Sequence, residues 1–366
     1  MGFNCGIVGL HNVGKSTLFN ALTETAAAEA ANYPFTTIEP NVGRVPVPDP
    51  RLDQLGRVAK SDKIVPTYLE FTDIAGLVRG ASRGEGLGNQ FLAQIREVDA
   101  IVHVLRCFDG EVTHVEGSVD PLRDAETVET ELMLADLDSV ERQLEAAVKR
   151  ARGGEEEAKA RLAVLEPVVA LLREGRPARE VRVAKELEPI FARLHLLTVK
   201  PVLDVANVDE ESLAAGGNAY SERVARRARV ESEGFVMVSA AIEAEVAALS
   251  DPAERREFLE SLGLEETGLD RVIRAGYELL DLITFFTTGP KEARAWTTKR
   301  GTPAARAAGL IHSDFERGFI RAETYAWDDF VACGGEAGAK DAGKMRSEGR
   351  DYVVRDGDVL RFRFNV

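Results

Sequence analysis

A short run near the amino terminus restricts the architecture of this chain more than any other feature. Gly9-Leu-His-Asn-Val-Gly14-Lys15-Ser16 fits G-x-x-x-x-G-K-[ST]. It lies between an apolar run, Asn4 to Leu10, and a stretch from Ser16 to Leu22 in which Leu18, Phe19 and Leu22 fall at helical spacing. A buried strand, a glycine-rich turn and a helix in that order make a cradle for phosphate. Backbone N–H groups curl around the anion, the helix N-terminus adds its dipole, Lys15 reaches the β- and γ-phosphates, and Ser16 offers a hydroxyl to magnesium. The residues expected to wrap the phosphates are Asn12, Val13, Gly14, Lys15, Ser16 and Thr17. A chance glycine loop is the competing reading, and the flanking strand and helix count against it.

Further strand patterns at Thr67 to Thr72 and Ala100 to Leu105, with helical patterns between, predict an α/β fold with a mainly parallel sheet covered on both faces. From about Leu134 the text changes. Leu137, Val140, Leu144 and Val148 recur at helical steps, as do Leu162, Leu165, Val169 and Leu172, with Gly153-Gly154 between them. This predicts an antiparallel helical hairpin over 134–198, inserted into a discontinuous nucleotide-binding domain of 1–133 and 199–280. Strand patterns resume at Lys200 to Ala206 and Gly234 to Ser239. The remainder, 281–366, reads as a small α+β module. It has a hairpin rhythm at Leu282 to Thr287 and Ala293 to Thr297, a helix from Pro303 capped by Thr302, and a period-two strand from Val359 to Phe364. Gly334 to Gly343 reads as a loop.

The 366 residues carry 46 Lys and Arg against 61 Asp and Glu, a net charge of −15. A generally basic nucleic-acid coat is excluded, and no DNA partner is expected. No apolar run approaches the roughly 18 residues that a membrane helix needs, so no membrane partner is expected. The N-terminus has no charged region followed by an apolar stretch, and the chain is expected to be soluble and unexported. Cys5, Cys107 and Cys333 are few and far apart, which fits reduced thiols and a cytoplasmic location.

Phosphoryl chemistry needs an acidic group near the metal, and Asp73-Ile-Ala-Gly76 supplies it at a strand end. Asp73 would help hold magnesium, and Gly76 would aim its N–H at a γ-phosphate. Tyr33-Pro-Phe-Thr36-Thr37 provides a threonine that joins magnesium when triphosphate is bound, with Thr37 favoured over Thr36; the metal set is thus Ser16, Thr37 and Asp73. Guanine-specific switches read their base with Asn-Lys-x-Asp, whereas this chain has Asn207-Val208-Asp209-Glu210. The missing lysine and the longer carboxylate suit guanine poorly, and the Asn207 amide offers a donor and an acceptor to adenine. Ser239-Ala240-Ala241 closes the next strand, where a backbone N–H could contact the base. Leu77 follows Gly76 where Ras-type switches carry a water-orienting glutamine, so hydrolysis needs another residue. Asn12 could bind a monovalent cation such as K+ near the β/γ bridge, and His114 could position water. His103 lies inside an apolar strand and reads as structural. The basic groupings of the helical hairpin read first as a solvated face, with RNA contact the lesser alternative.

The chain resembles the Obg-like ATPase (YchF) family of translation-factor-class P-loop proteins. The resemblance is carried by Asn12-Val-Gly-Lys-Ser-Thr17, Tyr33-Pro-Phe-Thr-Thr37, Asp73-Ile-Ala-Gly-Leu-Val-Arg-Gly80, Asn207-Val-Asp-Glu210 and Thr288-Gly-Pro-Lys-Glu-Ala-Arg-Ala-Trp296. It implies a P-loop NTPase domain interrupted by a coiled-coil-like hairpin and followed by a β-grasp, TGS-like domain. It also implies a preference for ATP over GTP, slow hydrolysis and ribosome association, and favours His114 as a hydrolysis residue; rRNA contact stays the lesser alternative read from the hairpin's charges. One departure is His11, where such loops commonly carry proline. The other readings are a GTPase of the same fold, a module that keeps ATP as a structural ligand, and a small-molecule kinase, for which no acceptor pocket and base are evident.

Overall fold

The computed structural model describes residues 3–30, 41–74, 87–110 and 118–365. In chain order its strands are β1 (Asn4–Val8), β2 (Val42–Pro46), β3 (Lys63–Val65), β4 (Tyr68–Asp73), β5 (Ala100–Arg106), β6 (Val202–Asn207), β7 (Gly234–Val238), β8 (Leu282–Thr288), β9 (Glu292–Lys299), β10 (Phe319–Ala326), β11 (Arg346–Glu348) and β12 (Asp358–Phe364). The helices that matter most to the argument are α1 (Lys15–Ala30), α2 (Pro50–Ala59), α3 (Leu87–Glu97), α4 (Pro121–Arg152) and α5 (Glu156–Arg173).

The first sheet has the order β2-β4-β1-β5-β6-β7, parallel throughout except for the β2–β4 edge pair. Every residue of β5 and β6 is buried, as the unbroken apolar runs of strands covered on both faces require. From β1 the chain runs outward to β2 and β4 and then returns to β5 on the other side. That reversal opens a crevice at the carboxyl ends of β1, β5 and β6, the place where such sheets bind ligands.

The helical hairpin begins earlier than the change in composition at Leu134 suggests. Asp120 caps α4 by accepting from Leu122 N (3.2 Å), and Pro121 takes the first helical position. The first turns of α4 bury Val128 and Leu132 in the core of the first sheet, and only the later turns pack on α5 through Val140, Val164, Leu165 and Val168. One helix serves both as sheet cover and as hairpin arm, and Leu134 marks where it leaves the sheet. The Asp136 carboxylate fixes this departure by accepting from Leu197 N (2.8 Å), Thr198 N (2.8 Å) and Thr198 Oγ1 (2.7 Å). Much of the hairpin's basic character is neutralised, with Arg173 paired to Glu141 (2.7 Å), Arg176 to Glu180 (2.5 Å) and Arg150 to Glu155.

The second sheet, β11-β10-β12-β8-β9-β3, is not made from 281–366 alone. Strand β3 pairs in parallel with β9, from Lys63↔Glu292 to Val65↔Arg294, and α2 buries Leu52 and Leu55 with Phe286, Tyr325, Phe330 and Val359. Residues 50–65, which the sequence groups with the nucleotide-binding part, therefore complete the C-terminal core. Two local expectations also change. The helix after β9 starts at Ala304 with Pro303 as its cap residue, because the Thr302 hydroxyl is donated to Lys299 O (2.7 Å). Within the expected loop at 334–343, Glu336–Asp341 is helical and buries Ala339.

A buried charge cluster joins the hairpin to the first sheet. Arg227, on the helix Ala219–Glu231, reaches Asp204 (2.8 Å), Glu129 (2.9 Å), Glu231 (2.8 Å) and Glu233 (3.3 Å), while Arg179 reaches Glu129 (2.9 Å) and Glu233 (2.6 Å). His103 lies in this cluster, as a structural residue, with Nδ1 3.6 Å from Asp204. Burial pushes Glu233 up to about 8, helped by the nearby Asp204 and opposed by Arg179 and Arg227. Burial likewise raises Asp204 to about 7 against the pull of Arg227. A carboxyl whose pKa is raised on folding contributes stability that is complete below its unfolded value and is lost as pH climbs through its folded one. Buried, neutral His103 acts in the opposite sense, but only below its ordinary 6.5. Between pH 7 and 8.5 the thermal midpoint is accordingly expected to fall by a few degrees, equivalent to about 1 kcal/mol. Glu233→Gln, which mimics the protonated carboxyl, should flatten that slope in a scan of unfolding against pH; an unchanged slope would dismiss Glu233 as its source.

Candidate functional site

At the end of β1 the chain turns through Gly9 into the loop that leads to α1. A Cβ on Gly9 would stand 2.5 Å from Val104 O, so the close approach of this turn to β5 needs glycine. Lys15 is 7% exposed and folds back across its own loop, donating from Nζ to Leu10 O (2.6 Å). Its burial lowers the amine to about 8, with Asp73 pulling the other way. The Ser16 hydroxyl donates to Asp73 Oδ2 (3.3 Å), so the loop and the end of β4 meet as the motif spacing suggests. Asp73 Oδ1 is buried and makes no hydrogen bond among the described residues, and burial raises this carboxyl despite Lys15 and Ser16. A hydroxyl beside an orphaned carboxylate oxygen, both hard oxygen donors, suits magnesium.

Asn207, the last residue of β6, lies beneath the phosphate loop. Its Nδ2 donates to Val13 O (2.9 Å), and its Oδ1 accepts from Ala240 N (3.0 Å). The amide expected to read adenine thus spends one donor and its oxygen on binding three segments together. Its second N–H is what remains for a base.

Beside this tie opens a cavity of about 590 Å³ lined by Gly14, Thr17, Phe108, Val208 and Glu210, among others, and closed by Ser239, Ala240 and Ala241. Val208 is buried. Asp209 caps the helix Glu210–Ala214 by accepting from Ser212 N (2.8 Å), while Glu210 is exposed. The Ser239 hydroxyl is buried without a hydrogen bond among the described residues, which makes it a ready partner for a ligand in this cavity. Asn12 holds a left-handed conformation (φ 62°) with an exposed side chain at the loop apex. Thr36, Thr37, Gly76, Leu77 and His114 lie outside the described residues.

Two residues here carry no motif. Phe108, just past β5, supplies the aromatic wall of the cavity, and Arg106 lies buried next to it. Their one sequence signal is position: both stand at or just beyond the carboxyl end of a parallel strand.

A ribosome-binding ATPase YchF from Haemophilus influenzae is 57% identical over the whole of both chains. The chain belongs to the YchF family. The YchF relative from Bacillus subtilis, also named a ribosome-binding ATPase, is 53% identical over the full length of both. The solved structure of the Schizosaccharomyces pombe YchF GTPase superposes with a TM-score of 0.90 at 37% identity, covering 99% of this chain and 98% of that one. A family model described as "50S ribosome-binding GTPase" matches residues 4–150, and the YchF-GTPase_C model, described as "Protein of unknown function (DUF933)", matches 282–365. The YchF architecture is therefore present from end to end, P-loop domain and C-terminal unit included. No helix among the described residues is long and apolar enough to cross a membrane.

Proposed function

We propose that this chain is a magnesium-dependent ATPase, with ATP preferred over GTP, acting in the cytoplasm as a ribosome-associated switch. The observation that carries the base preference is the wall of the cavity. Val208 fills the lysine position, Asp209 is committed to capping a helix, and an aromatic ring, Phe108, lies opposite. Glu210, which lines the cavity at the fourth motif position, is one methylene longer than the aspartate that pairs with the guanine N1 and N2 donors, whereas adenine needs only stacking and one or two polar partners, which Ser239 and the remaining Asn207 N–H offer.

Lys15 and the loop amides around Gly14 would hold the β- and γ-phosphates, with Ser16, Asp73 and Thr37 holding magnesium, which supplies charge neutralisation there. Gly76 would sense the γ-phosphate, and His114 would position the attacking water. Asn12, at the loop apex, would help hold a monovalent cation. The relatives' names support the ribosome as partner, with the helical pair and the second sheet as the surfaces whose affinity the bound nucleotide sets.

Titration of purified protein with ATP and GTP in magnesium tests this reading. ATP should bind about tenfold more tightly, the discrimination expected from one unsatisfied polar group. Equal or reversed affinities would select the GTPase alternative, in keeping with the name of the S. pombe YchF GTPase. Co-sedimentation with ribosomes in ATP, ADP and a non-hydrolysable analogue tests the switch, and indifference to nucleotide would reject it.

A further inference from the structure

We propose that Arg106 is a positioning residue that couples the base wall of the nucleotide site to its phosphate loop. The inference rests on the ATP-site reading above and adds a residue that this reading does not use. Arg106 ends β5 and is 2% exposed. Its Nε donates to Phe108 O (3.1 Å), and an Nη donates to Asn12 O at the longer distance of 3.5 Å. Its guanidinium carbon lies 4.6 Å from the centre of the Phe108 ring, within the range of a cation–π contact. A Cβ on Gly110 would come within 3.2 Å of the guanidinium, so the chain beyond Phe108 also passes directly against it.

Burying a guanidinium costs several kcal/mol unless its donors are met, and two of them are met from two segments, one adjoining Arg106 and one 94 positions away in the chain. One of them carries the aromatic wall of the base cavity. The other is the left-handed apex of the phosphate loop. A planar fork bonded to both makes them move together, as the flexible point charge of a lysine would not. Cys107, between Arg106 and Phe108, is held at its carbonyl by Asn218 Nδ2 (2.7 Å) and donates its amide to Asn207 O (2.8 Å), so the segment that carries the ring has little freedom of its own. Adenine stacked on Phe108 would therefore fix not only itself but also the Asn12 carbonyl, and through it the phosphate loop.

The experiment compares ATP with inorganic tripolyphosphate, which has the phosphates and no base. In Arg106→Lys, ATP affinity should fall about tenfold while tripolyphosphate affinity changes far less, so that the share of binding due to the base shrinks. An equal fall for both ligands would mean a general structural role and would overturn the proposal, as would no change in either. Phe108→Leu probes the same link from its other end should the lysine variant fail to fold. It should lower kcat for ATP towards the value for tripolyphosphate as well as raising KM; a rise in KM alone would show that the ring binds the base without informing the loop, and would overturn the coupling. Wild-type protein that binds ATP no more tightly than tripolyphosphate would overturn the base-site reading itself, a result distinct from any failure confined to the variants.

Discussion

Lys15→Ala is expected to lower ATP turnover by about 10²–10³-fold, the usual loss when one preorganised donor to transition-state charge is removed. On the proposed reading the amine needs little reorganisation. It is buried, bonded to Leu10 O across its own loop (2.6 Å) and next to Asp73, and would exchange a carbonyl partner for phosphate oxygens. Alanine removes the charge and leaves the loop glycines in place, so ATP binding should weaken by less than turnover does. Phosphate-release assays under single-turnover conditions, with binding measured separately, distinguish the two effects. A variant that hydrolyses ATP within about threefold of wild type would remove the phosphate loop from the mechanism, since so small a change corresponds to less than one ordinary hydrogen bond.

The residues that made this loop legible are consecutive, and so are those of Asp73-Ile-Ala-Gly76 and Asn207-Val-Asp-Glu210. A motif of that kind is readable because its chemistry and its backbone geometry are both local. Phe108 and Arg106 are not readable in the same way. An arginine and an aromatic residue beyond a strand become part of a site only once the order β4-β1-β5-β6 brings the carboxyl ends of those strands together, and strand order is a long-range property. The second sheet shows the same limit. Its edge is completed by β3, and Ser61 donates to Gly289 O (2.7 Å) across 228 positions, a pairing for which no local pattern codes. The helix at Glu336–Asp341 escaped for a different reason. Its alanines and glycines suit helix and loop about equally by pattern, and packing of Ala339 beneath Phe330 and Tyr325 decides the matter. Asn207 is the most instructive case: its residue type and position predict a contact to the base, whereas the bonds it makes here are to the protein.

Those bonds set the second large effect, in Gly14→Ala. Gly14 has φ +96°, where L side chains are strained, and a Cβ built there would overlap the Asn207 amide nitrogen. Either the phosphate loop lifts or Asn207 swings away. Both responses break the bond to Val13 O and disturb the one from Ala240 N, which together hold the loop to the base side of the site. Strain of about 1–3 kcal/mol and the loss of two hydrogen bonds amount to an expected fall in ATP affinity of about 10²-fold, with the protein still folded. Asn207→Ala removes the tie without the overlap and should cost about tenfold. The double variant separates the causes. If the steric conflict dominates, deleting the Asn207 amide makes room for the new methyl group, and the pair binds ATP more tightly than the product of the single effects requires. Strict additivity in calorimetric titrations would instead assign the Gly14→Ala defect to backbone strain alone, acting independently of the Asn207 tie.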